Sequence, residues 1–162
     1  MIKSFRDHIF ESKIKFTNWV KPDKKDLALE YKIEYSIKPL KNLTGNAFPT
    51  LESFLSAVNK AKVLKVTPAI DSRIQYRSRT RDKKSLISLI KNYASYPQYR
   101  NEKTIDAIYD GYRDNKPMKM PLVLKLQDGT MRVMGGNTRA DIGMQLLGYY
   151  MAILVEVPEA TE

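Results

Sequence analysis

Cysteine is absent from these 162 residues, and histidine occurs once, at His8. The first absence excludes disulfides, thiolate chemistry and cysteine metal sites together, and the second leaves little with which to hold zinc. No metal held by protein ligands alone is expected, and His8 reads as a surface residue. Also missing is any uninterrupted apolar run long enough for a membrane span, or for a signal peptide behind MIKSFRDHIF, which is charged at Lys3, Arg6 and Asp7. No membrane association and a cytoplasmic setting are the expectations.

What is present is a core's worth of apolar residues, 43% of the chain, and an imbalance of charge. Lys+Arg number 28 against 18 Asp+Glu, a formal charge of +10. Such a surface favours an anionic partner, whether nucleotide, nucleic acid or an acidic protein face. The length suits one domain, perhaps with an appendage.

Along the chain, residues 2–12 place Ile2, Phe5, Ile9 and Phe10 at helical spacing. Residues 27–37, LALEYKIEYSI, alternate Leu27, Leu29, Tyr31, Ile33, Tyr35 and Ile37 with mostly polar neighbours, which predicts a strand. Thr50 then precedes a helix with Leu51, Phe54, Leu55 and Val58 on one face, and VLKVTPAI reads as a short strand broken at Pro68. The segment DSRIQYRSRTRDKK reads as a basic loop carrying Arg73, Arg77, Arg79 and Arg81. Two short helices, Ser85–Tyr93 and Thr104–Tyr112, flank a loop holding Tyr93, Tyr96, Tyr99 and Arg100. PLVLKL, Asp128-Gly129 and TMRVM predict a hairpin with a two-residue turn. After it comes GGNTR, then a helix capped by Asn137 or Thr138 and ended by Gly148, then a closing strand in MAILVEV.

GGNTR, Gly135 to Arg139, carries the sharpest question. It is either a tight turn into a helix or a grip for phosphate, because the first N–H groups of a helix lack partners and attract anions. Glycine lets a ligand approach the backbone, and arginine offers a permanent forked charge.

The order of elements, with Pro-Leu-Val-Leu, an Asp-Gly hairpin, GGNTR, a helix ending in Leu-Gly and a closing ILVEV strand, resembles the ParB/sulfiredoxin superfamily over residues 63–157. The resemblance implies an α+β fold: a ParB/sulfiredoxin-like small mixed sheet with flanking helices over residues 63–162, preceded by an N-terminal strand-helix extension over 1–62. It also implies that the turn holds nucleotide phosphates, ATP or CTP. Gly135, Gly136, Asn137 and Thr138 would lie against the phosphates, and Arg139 would clamp them. Arg73, Arg77, Arg79, Arg81 and Arg100 would contact a second anion or a nucleic-acid backbone. The tyrosines at 93, 96 and 99 either stack on bases or pack half-buried.

Asn137 and Thr138 stand where sulfiredoxins carry their cysteine and histidine, which excludes sulfiredoxin activity. The ENxQR segment of partition ParB proteins has no counterpart, and no helix-turn-helix follows Val157. The remaining likeness is to the broader ParB-like set, which includes stand-alone proteins of large tailed phages, nucleases and free-serine kinases; if this protein is an enzyme, the compatible chemistry is phosphoryl transfer or phosphodiester hydrolysis with magnesium. Asp141, the acid nearest the motif, is the first candidate for catalysis, ahead of Asp71, Asp82, Glu102 and Asp128; dipole stabilisation in the first helical turn is its simpler explanation. The competing reading is a non-enzymatic protein that binds a host or viral protein through its basic face and N-terminal helix.

Overall fold

A computed structural model describes residues 14–36, 44–76 and 102–158. In chain order the strands are β1 Trp19–Val20, β2 Lys62–Val66, β3 Ile74–Gln75, β4 Met118–Lys119, β5 Leu122–Lys125, β6 Met131–Gly135 and β7 Tyr150–Glu156. The helices are α1 Lys24–Ser36, α2 Leu51–Lys60, α3 Pro68–Asp71, α4 Glu102–Arg113 and α5 Asn137–Leu147. The architecture is α+β with a mixed five-stranded sheet in the order β2-β7-β5-β6-β3. Its centre is parallel, β5 beside β7, while β2 on β7 and β6 on β5 run antiparallel, and β3 runs parallel to β6. The short β1 and β4 form a separate parallel pair. Among the described residues no helix is long and apolar enough to cross a membrane.

The strand expected over residues 27–37 is instead helix α1 as far as Ser36. Its sequence satisfies both periods, because Leu27, Tyr31 and Tyr35 recur at i, i+4 as well as at even spacing. Two things decide the outcome. Asp23 and Asp26 cap each other, Asp26 N–H donating to Asp23 Oδ1 at 2.8 Å and Asp23 N–H to Asp26 Oδ2 at 3.1 Å. A reciprocal cap of this kind contributes about 1 kcal/mol to a helix start. The helical face also finds aromatic partners: Tyr31 stacks on Tyr35 at 4.7 Å and on Phe54 at 5.6 Å. Leu29, which a one-sided strand would have buried with Leu27, is 57% exposed.

Helix α2 follows the sequence closely, with Thr50 as its cap and Phe54 and Val58 buried. Pro68 ends nothing by itself; it opens α3 behind the Thr67 cap, where a missing N–H costs nothing. The β5–β6 hairpin has a longer connection than the two-residue turn expected. Leu126 N–H still pairs with the Thr130 carbonyl, leaving residues 127–129 as the loop, with Gly129 at φ 88°. Thr130 N–H donating to Asp128 Oδ1 stabilises that wider turn. The amphipathic segment 2–12 with His8, the helix over 85–93, the tyrosine loop and Arg77, Arg79, Arg81 and Arg100 lie outside the described residues.

The sheet is covered on both faces. On one, Leu27, Phe48, Phe54 and Val58 from α1, α2 and their connection pack with Leu122, Leu124, Met134, Ile153 and Val155. On the other, Ala140 and Met144 of α5 meet Val66, Val123, Val133, Tyr150 and Ala152. The outer side of α5 is buried in turn, Ile142 packing with Tyr109, Tyr112 and Phe16. Residues Ala140 to Gln145 are therefore buried without a break, so α5 is held on two sides and its N-terminus has a fixed position.

Candidate functional site

Strand β6 ends at Gly135, and Gly136 turns the chain into α5 with φ 85° and ψ 27°. Gly136, rather than Asn137 or Thr138, is thus the N-cap residue, and among the described residues no side chain caps the helix. The left-handed backbone at Gly136 suits glycine, and it draws Asn137, Thr138 and Arg139 into the first turn, where a side chain cannot reach forward to cap. All three are half-buried. Asp141 lies beyond the first turn, which contains no acid, and is 1% exposed, so first-turn dipole stabilisation does not account for it.

The Arg139 side chain folds back over the turn. Its Nε donates to the Lys119 carbonyl at 3.0 Å, and its Nη2 lies 2.7 Å from where a Gly136 Cβ would stand. Its own carbonyl accepts a 2.7 Å bond from the hydroxyl of Tyr112, a fully buried residue of α4 whose ionisation is pushed well up by desolvation. Backbone and guanidinium of Arg139 are both held in place.

Against this turn lies a pocket of about 160 Å³, lined by Asp26, Glu30, Lys119, Leu122, Gly135 and Arg139 among others. Two of these lining residues, Asp26 and Glu30, come from α1, one helical turn apart. Lys119 Nζ sits 2.5 Å from Asp26 Oδ2 and 3.8 Å from Asp23 Oδ2. Its ammonium pKa is raised chiefly by the Asp26 hydrogen bond, with the Arg139 charge opposing. The same bond holds Asp26 below the usual carboxylate range. Glu30 lies closer to the turn: its carboxyl carbon is 2.7 Å and its Oε2 2.9 Å from where a Gly135 Cβ would be.

Sequence reasoning missed Glu30, Asp26 and Lys119. Lys119 lies in the connection just before PLVLKL, and Glu30 in a segment that reads as a strand; the Asp23-x-x-Asp26 cap was the local signal that favoured a helix there. Of the expected anion contacts, Arg139 lines the pocket, and Arg73 is exposed between α3 and β3. Comparison of the chain with family models, curated proteins and solved structures finds no match.

A second polar cluster occupies the same end of the sheet. Gly135 is level with Leu122, and Leu122 with Ile153, so Tyr150 lies past the end of β6. The buried Asp71 carboxylate accepts from the Tyr76 hydroxyl, which spends its one proton there and accepts from Tyr150 at 2.5 Å. This chain ties α3 and the exit of β3 to β7. Among the described residues no group of three or more acidic or histidine side chains is placed to hold a metal ion.

The Asp26–Lys119 pair makes a pH prediction. A carboxylate with a depressed folded pKa contributes stability above its ordinary value of 3.8, and that contribution disappears as pH falls through the folded value. Asn at 26 keeps capping ability but removes the charge. Asp26→Asn is therefore expected to lower the urea midpoint at neutral pH and to match wild type in strong acid. An equal deficit at both pH values would show that the charge is not the cause.

Proposed function

We propose that this protein binds a phosphate-bearing anion, a nucleotide or a nucleic acid, where β6 turns into α5, with Arg139 and Lys119 as the cations. The observation that carries this reading is the placement of Arg139. It lies in the first turn of an 11-residue helix without a side-chain cap and lines, with Lys119, a pocket open to small groups. Helix dipole and guanidinium both favour negative charge at one place. The presence of a carboxylate, Glu30, against the preceding glycine fits the same preference. The likeness of GGNTR and its neighbouring elements to the ParB/sulfiredoxin pattern supports phosphate over other anions, and the formal charge of +10 supports a polyanionic ligand.

Size narrows the reading. Pockets that enclose a drug-sized ligand measure about 300–1,000 Å³. At about 160 Å³ this one accommodates a phosphoryl end, leaving a nucleoside or the remainder of a strand outside it.

Thermal unfolding across nucleotides, pyrophosphate and short oligonucleotides, with and without magnesium, tests the proposal. A ligand at one hundred times its Kd stabilises the fold by about 2.7 kcal/mol. Arg139→Ala is expected to abolish that gain relative to its own baseline, and Arg139→Lys to retain only part, since lysine cannot fork. If no ligand stabilises the wild type, or Arg139→Ala responds as fully, the reading fails.

A further inference from the structure

We infer that Glu30 is the pocket's resident anion and that a phosphoryl dianion binds by displacing it, so that α1 sets the affinity of the site. This deepens the anion-binding reading and rests on it.

The inference starts from the space at Gly135. The carboxyl group of Glu30 lies within 2.9 Å of the position a Cβ would take there, so the carboxylate uses room that only glycine leaves. Glu30 shares the pocket with Arg139 and Lys119, and the preceding turn of the same helix supplies Asp26, which holds Lys119 at 2.5 Å. One helix thus brings two carboxylates to a pocket with two cations. The formal charge of the four side chains is zero, and an incoming anion meets Glu30 as a like charge.

The chemistry then selects the ligand. Glu30 competes intramolecularly, at the millimolar or higher effective concentration typical of a tethered group. A free monoanion offers the same charge and cannot win. A phosphoryl group carries about −1.5 to −2 with three strong acceptor oxygens, which outmatches one carboxylate for the same cations. Displacement needs no unfolding: Glu30 is half-buried, and its helix is anchored elsewhere, by Leu27 in the core and by Tyr31 on Phe54.

The test is calorimetric titration of inorganic pyrophosphate into the full chain as wild type, Glu30→Gln and Glu52→Gln. Glu52 is exposed on α2, so its variant makes the same change in net charge away from the pocket. Removing a like charge from a half-solvated site is worth about tenfold in affinity. Glu30→Gln is expected to bind about tenfold tighter, and Glu52→Gln as wild type. Equal affinities for wild type and Glu30→Gln, or the same gain from Glu52→Gln, would overturn the role of Glu30 and leave the anion-binding reading intact. Absence of pyrophosphate binding in both wild type and Glu30→Gln, with native circular dichroism, would overturn this inference, and if nucleotides and oligonucleotides fail to bind as well, the anion-binding reading with it.

Discussion

Gly136→Ala is expected to lower the stability of the protein by about 3 kcal/mol, whereas Gly135→Ala next to it should cost about 1 kcal/mol. The two glycines differ in what a methyl group would meet. At Gly136 the backbone is left-handed, φ 85°, and the new Cβ would stand 2.9 Å from the Pro121 Cα and 2.7 Å from Arg139 Nη2. The guanidinium can shift, but the Pro121 Cα is backbone immediately before β5 and cannot. At Gly135 the obstacle is the end of one flexible side chain, Glu30. Urea unfolding of both variants decides it: equal losses, or the reverse order, would contradict this account of the turn. The outcome also bears on function. Pro121 and Arg139 already explain why residue 136 is glycine, so the case for an anion site rests on Arg139, Lys119 and the carboxylate beside them, not on the glycines.

The legible parts of the fold were those where one period dominated. Leu51 to Val58 presents a single apolar face behind a Thr cap, and the run Leu122–Lys125, Asp128-Gly129, Met131–Gly135 combines β-branched residues with a turn. Gly148 ends α5 as its position after Leu147 implies. Segment 27–36 was illegible for the opposite reason, since Leu27, Tyr31 and Tyr35 fit both periods, and the Asp23–Asp26 cap together with tertiary partners chose between them. The site divides the same way. Arg139 was legible because its turn carries its own signal. Glu30 was not, because nothing local says that a residue of α1 will lie against the end of β6; that contact exists only through the packing of α1 on α2 and the sheet.

That packing yields the second large effect. Phe54 is fully buried and lies at the centre of the aromatic group, 5.6 Å from both Tyr31 and Phe48, with Leu27 and Val155 in the same cluster. Phe54→Ala leaves a cavity that rigid strands on one side cannot close, and such truncations cost about 3–5 kcal/mol. Against a typical total of about 5–15 kcal/mol this is a large fraction. The loss should not be uniform. Tyr31 stacks on Phe54 and Tyr35 stacks on Tyr31, so α1 loses the ring its aromatic face rests on, while β5–β6–β7 keep their backbone pairing and the core on the α5 face. Amide exchange in α1 is therefore expected to accelerate well beyond that of β7, and the grip of Glu30 on the pocket to weaken with it. Uniform acceleration across α1 and the sheet would show instead that α1 is held chiefly by Asp23 and Asp26 on Lys119, and that the aromatic cluster does not control the helix that reaches the site.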